Sequence, residues 1–204
     1  GSSAPLTVLP PGTQLVNPVP SDDLSRIIFS RSDDGGATWK LWAVNSDGSG
    51  LECLSDTLGL STVTTDQRYG ALSPDNSLLV FTGSPLGPTP FPGKQQLYVK
   101  ELTGRRQLTQ LTLAPWDCSY PVFLDEGRIL FKARTDELED FYVISASGTD
   151  LRNLTNNSTT APYFPRLGRP SLSPDRTEFL YGKQTRTASG FDDWQVVRYQ
   201  FSIG

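Results

Sequence analysis

Ser73-Pro74-Asp75-Asn76-Ser77-Leu78-Leu79-Val80-Phe81, followed by Leu97-Tyr98-Val99 and then Gln107-Leu108-Thr109, is the stretch that decides the fold. Ser-Pro-Asp-Asn suits a type I turn, because Pro presets φ and Asp bonds its own backbone. The apolar run that follows ends in an aromatic and is too short for a helix. Its β-branched and aromatic content reads as a strand, as does the second run. Thr103-Gly104 then supplies a hairpin turn into the Leu-Thr element. With a further short strand ahead of the turn, the unit is four antiparallel strands, here a to d.

The unit recurs. Its first runs are 26–29, 78–81, 128–131 and 178–181, whose closing aromatics Phe29, Phe81, Phe131 and Tyr181 fall about 50 residues apart. The second runs are 41–44, 97–99, 141–143 and 194–197. Ser173-Pro174-Asp175-Arg176 repeats the turn, Asp125-Glu126-Gly127 shortens it, and Ser21-Asp22-Asp23 is a degraded copy. The third element is Leu54-Ser55, Leu108-Thr109 and Leu154-Thr155; the fourth copy lacks one. Leu6-Thr7 at the N-terminus keeps the missing register, since Leu6 precedes Phe29 by the interval that separates Leu108 from Phe131.

One four-stranded sheet cannot cover both its faces, and stacking against neighbours around a ring does so. The expectation is therefore an all-β chain: one β-propeller domain over 1–204, with four four-stranded antiparallel blades at 15–56, 69–111, 118–156 and 169–201, closed by residues 5–9 as outer strand of the last blade. Half of an eight-bladed dimeric ring, or part of a six- to eight-bladed propeller, are the alternatives. A β-sandwich does not explain four copies in register.

The quoted stretch, together with Tyr142-Val143 and Gly148-Thr149-Asp150-Leu151-Arg152-Asn153-Leu154-Thr155, resembles TolB-like WD-type propeller repeats over about residues 5–201. That resemblance implies a propeller and, for function, a protein-binding module of the periplasm or cell surface. The chain departs from the usual six blades of that group. A single Ser32-Asp33-Asp34-Gly35-Gly36-Ala37-Thr38-Trp39 is similar to the Asp-box hairpin of sialidase-like propellers, where the motif is structural; calcium there is the outside option.

Composition removes whole classes of chemistry. The 204 residues include no His and two Cys. Ser-His-Asp and Cys-His catalysis are thereby excluded within them, as is a His-containing zinc site. A net charge of −4 argues against nucleic acid as partner. No apolar run approaches the length of a membrane span. Cys53 and Cys118 fall on non-neighbouring blades, so two free thiols are expected and no cofactor is assigned.

The a–b and c–d connections are short and sit on one rim. The long connections 31–38, 56–68, 84–94, 111–117, 134–140, 156–169 and 182–193 emerge on the other. Long loops are costly to order and are kept for binding. Candidate binding residues on that rim are Phe91, Trp116, Asp117, Tyr163, Phe164, Arg166, Phe191 and Asp192. Aromatics with Arg suit a protein surface or a glycan. The expected function is thus a non-enzymatic, extracytoplasmic binding or scaffold propeller for a protein partner, monomeric or homodimeric. A glycan- or small-ligand-binding propeller, with a hydrolase using the acidic pairs Asp136-Glu137, Glu139-Asp140 or Asp192-Asp193, is the alternative.

Overall fold

A computed structural model describes residues 5–135, 138–157, 166–184, 186–187, 190–191 and 193–201. It is all-β and propeller-shaped, with four blades. The first blade is β1 (Gln14–Pro20), β2 (Arg26–Ser32), β3 (Lys40–Asn45) and β4 (Glu52–Cys53), paired in that order. A helical turn, α1 (Leu54–Thr57), and a 3₁₀ turn (Leu60–Thr62) lead to the second: β5 (Thr64–Leu72), β6 (Leu78–Pro85), β7 (Gln96–Glu101) and β8 (Leu108–Gln110). The third is β9 (Asp117–Phe123), β10 (Arg128–Arg134), β11 (Glu139–Ser145) and β12 (Arg152–Asn153). In the fourth, β13 (Arg166–Leu167) and β14 (Ser171–Leu172) both pair with one side of β15 (Glu178–Gln184). A small ribbon, β16 (Arg186–Thr187) with β17 (Gly190–Phe191), precedes β18 (Gln195–Gln200), which pairs with the other side of β15.

The turns behave as their sequences dictate. Ser73 Oγ donates to Asp75 Oδ1 at 2.6 Å, and the Ser77 amide donates to the same oxygen at 2.9 Å. Ser173 and Asp175 repeat this pattern. So do Ser21 and Asp23, so the copy that reads as degraded is intact. These bonds favour the ionised carboxylate and hold Asp23, Asp75 and Asp175 below the ordinary carboxylate range, the serine hydroxyl contributing most in each. The Ser32–Trp39 hairpin is self-bonded: Asp34 accepts from the Ser32 and Thr38 hydroxyls, and Trp39 is buried with its indole N–H on the Gly36 carbonyl.

The core lies in the seams between blades. Ile28, Leu41 and Ala43 of the first blade meet Phe81 and Tyr98 of the second. Val80, Leu97 and Val99 meet Ile129 and Phe131 of the third. Leu130 and Phe141 meet Phe179 and Tyr181 of the fourth. Gly70 shows how close the first seam is, since a Cβ there would lie 2.8 Å from Ile28 Cγ2.

Two sequence expectations are corrected. Leu108-Thr109 lie in β8, the outer strand of the second blade as expected, but the pair in register with Leu54-Ser55 and Leu154-Thr155 is the next one, Leu111-Thr112. Cys53, Gln110 and Asn153 are the residues paired with the aromatics Trp42, Tyr98 and Tyr142, which places Leu54, Leu111 and Leu154 in register. The hydroxyl following each then accepts from the start of strand c: Ser55 from the Leu41 amide, Thr112 from Leu97, Thr155 from Phe141. Second, residues 5–9 form no strand and do not pair with β18. The Leu6 carbonyl instead sits where a Cβ on Gly48 would lie, and Thr13 Oγ1 donates to Asp33 at 3.0 Å. Gly48 and Asp33 are at opposite ends of the first blade, so residues 5–13 lie along that blade, and among the described residues no outer strand pairs with β18.

Candidate functional site

The inner strands of the first three blades each carry a bulge at one repeating position, and in the fourth the inner strand is broken at the same place, between β13 and β14. The register of β1 shifts between Val16 and Val19, that of β5 between Arg68 and Ala71, and that of β9 opposite Leu130 and Lys132. Asn17, Tyr69 and Tyr120 at these bulges adopt φ of 54°, 55° and 53°. A bulge with a left-handed residue re-aims its side chain out of the sheet plane. Asn17, Tyr69, Tyr120 and Arg169 accordingly line a narrow central channel with Val19, Pro121, Val122 and Pro170.

On the long-loop rim the channel region opens into a cleft of about 400 Å³ between the second and third blades. Tyr69 and Tyr120 belong to both spaces, with ring centroids 4.5 Å apart. Burial, with the neighbouring Tyr120 next, pushes the Tyr69 hydroxyl up to about 12, so it stays a neutral donor. The walls alternate in charge. Arg68 bonds Asp66 at 2.9 Å, Lys94 faces Asp117 at 3.4 Å, and Lys132 faces Glu139 at 3.3 Å. Gln95 donates to Asp66 and Ser84, and its buried Oε1 has no partner among the described residues. Arg134 completes the lining as an exposed cation.

Lys132 and Glu139 hold the next blade. Lys132 Nζ donates to the Leu167 carbonyl at 2.9 Å, and Glu139 Oε2 accepts from the Leu167 amide at 2.5 Å. Burial pulls the Lys132 ammonium below its ordinary range, opposed by the Glu139 charge. Cys118 lies under the cleft floor, its thiol pushed up to about 12 by burial, and Cys53 is also unpaired. Such a thiol is inert as a nucleophile. Among the described residues no cluster of three or more His, Cys, Asp or Glu is placed to hold a metal. No described helix is long and apolar enough to cross a membrane.

Of the residues singled out by sequence, Asp117 lines the cleft. Trp116 turns inward instead, stacking on Tyr142 at 4.9 Å against the core of the second seam. Phe91 is half-buried in the loop between β6 and β7, away from the cleft lining. Arg166 begins β13, is exposed, and is already engaged in an interaction. Phe191 lies on the β16–β17 ribbon. Tyr163, Phe164 and Asp192 fall outside the described residues, as do Asp136 and Glu137. Glu139 and Asp140 have structural partners, Asp140 accepting from Thr155, Asn153 and Asn157.

Tyr69, Tyr120 and Arg134 are absent from the sequence-derived set. A signal existed: Asn17-Pro18, Tyr69-Gly70, Tyr120-Pro121 and Arg169-Pro170 recur at one position of the repeat. Proline or glycine inside a strand marks a bulge or a close backbone approach.

No protein-family model matches this chain. No curated protein matches it either. Solved structures do. TolB from Acinetobacter baumannii is similar over 89% of this chain and 42% of its own, with a TM-score of 0.59 and 16% identity. The structure of a protein described as a putative TolB from Agrobacterium tumefaciens is similar over 89% and 64%, with a TM-score of 0.62 and 13% identity. A puromycin-hydrolysing peptidase of Mycobacterium tuberculosis is similar over 91% and 32%, with a TM-score of 0.58 and 14% identity. The chain spans less than two thirds of each. At such identities the likeness establishes the propeller fold and nothing finer.

Proposed function

We propose that this chain is a non-enzymatic binding module that acts in the periplasm or at the cell surface and engages a protein partner through its long-loop rim. The observation that carries the reading is the cleft over Tyr69 and Tyr120, where rigid strand ends fix two aromatic rings beside hydrogen-bonding walls. Aromatic anchors held by a scaffold bind with little ordering cost. Most wall charges are already paired, so contact rests on the tyrosine faces, the unpaired Gln95 acceptor and Arg134. The similarity in fold to TolB structures supports the same reading, and the lack of histidine in the sequence leaves no Ser-His-Asp or Cys-His machinery within it.

Selection of unstructured peptides from a display library tests this. Binders are expected whose affinity falls about tenfold or more in Tyr120→Ala and in Arg134→Ala. Binders indifferent to both substitutions would place the partner elsewhere and sink the proposal. The second reading, a glycan-binding propeller, draws on the same tyrosine pair beside polar walls. Glycan-array binding lost in Tyr120→Ala, without peptide binders, would favour it.

A further inference from the structure

The partner's chemistry, which rests on the cleft being the docking site proposed above, follows from how the cleft pairs its charges. Every carboxylate of the lining has a donor on each oxygen. Asp66 accepts from Arg68 and from the Gln95 side chain. Asp117 accepts from the Gln95 amide and from Lys94. Glu139 accepts from Lys132 and from the Leu167 amide. Arg134 is the exception. It pairs across the sheet with Asp117 on one side and with Glu139 on the other. Directly paired side chains share a face and are close enough to interact. Both acids nevertheless turn to other partners, and the exposed Arg134 guanidinium forms no ion pair among the described residues.

Arg169, exposed in the adjoining channel, is likewise without an ion pair among the described residues. Arg31, Lys40 and Arg68 on the same rim each hold an aspartate. Cleft and channel meet at Tyr69 and Tyr120, so the two free cations lie in the two spaces that the ring pair joins. This local positive excess runs against the chain's net charge of −4. An unpaired cation beside low-dielectric aromatic walls draws an anion, and the planar guanidinium fork matches a carboxylate. The three acids of the lining set the upper limit on that anion. They repel a doubly charged phosphate about twice as strongly as a singly charged carboxylate.

We propose that the cleft takes an extended acidic peptide segment, which sets a carboxylate on Arg134 and an adjacent apolar or aromatic side chain on the Tyr69–Tyr120 rings. The carboxylate belongs to an Asp or Glu side chain or to a chain terminus, and the test separates the two. Peptides are selected on the intact chain from a library displayed with free C-termini, and those that need Tyr120 are kept. Each is synthesised as selected, with its Asp and Glu changed to Asn and Gln, and with its C-terminal carboxylate capped as the amide. One of the neutralised forms is expected to bind about tenfold or more weakly, which identifies the source of the carboxylate. In Arg134→Gln the selected peptide should fall to the level of that neutralised form, and the neutralised form should not change. Arg134 is exposed, and circular dichroism checks that the variant is folded. Peptides that need Tyr120 and Arg134 yet lose nothing on neutralisation overturn the acidic preference and leave the binding role standing. A loss on neutralisation that persists in Arg134→Gln puts the carboxylate elsewhere and also overturns it. Absence of any Tyr120-dependent peptide, with or without binding of an anionic glycan, sinks both.

Discussion

At the scale of single residues, the fold is decided by hydroxyls and carboxylates as much as by apolar runs. Tyr98 is the exception that tests the rule. It is fully buried, stacked on Phe81, and its hydroxyl has no partner among the described residues. A buried unsatisfied group costs more than the removal of that group. Tyr98→Phe is therefore expected to leave stability unchanged or to raise it by about 1 kcal/mol in urea denaturation; a clear loss would mean the hydroxyl is bonded. The Ser-Asp turns were legible because Ser, Pro and Asp act on their own backbone. In the second blade the outer strand falls at Leu108-Thr109 as read, but the register of its Leu-Thr pair was hidden for an equally local reason. Leu108-Thr109 and Leu111-Thr112 stand three residues apart, and only pairing with β7 tells which hydroxyl reaches the Leu97 amide.

At the scale of elements, the turns carry the acid sensitivity. Asp23, Asp34, Asp75 and Asp175 are all held below their ordinary value of 3.8 by hydroxyl and amide donors. A depressed carboxylate adds stability that is full above the unfolded value and lost as pH falls toward the folded one. The thermal midpoint is expected to be flat from neutral pH to about 5 and to decline below about 4. Asp75→Asn should make that decline shallower, as calorimetry across pH would register. The inner strands illustrate what periodicity misses. A short strand ahead of each turn was readable; the bulges at Tyr69 and Tyr120 that turn two rings into the cleft were signalled by the Gly or Pro that follows each, while the register that aims the rings shows only in the paired strands.

At the scale of the molecule, stability is a chain of neighbouring seams rather than one common core. The third seam depends on polar groups: Lys132 and Glu139 are nearly buried and grip both the carbonyl and the amide of Leu167. Removing one partner of such a pair strands the other, so Lys132→Met is expected to cost about 3 kcal/mol. Adding Glu139→Gln should recover part of that loss in denaturant titration; no recovery would mean the pair is not coupled. Blade number and shape were legible because four copies share one period. Closure was not, because where residues 5–9 settle depends on two competing surfaces rather than on their own motif. Leu6 finds the Gly48 turn instead of β18.

The two rims also differ in how freely they can drift. On the tight rim, Ser21, Ser73 and Ser173 each bond an Asp two residues on, so exchange of either partner undoes a turn. The opposite rim is made of loops whose strands are anchored elsewhere, and substitutions can accumulate there without unravelling a blade. A shape specified at so few points tolerates wide change of sequence, and structures only 13–16% identical overlay on most of this chain.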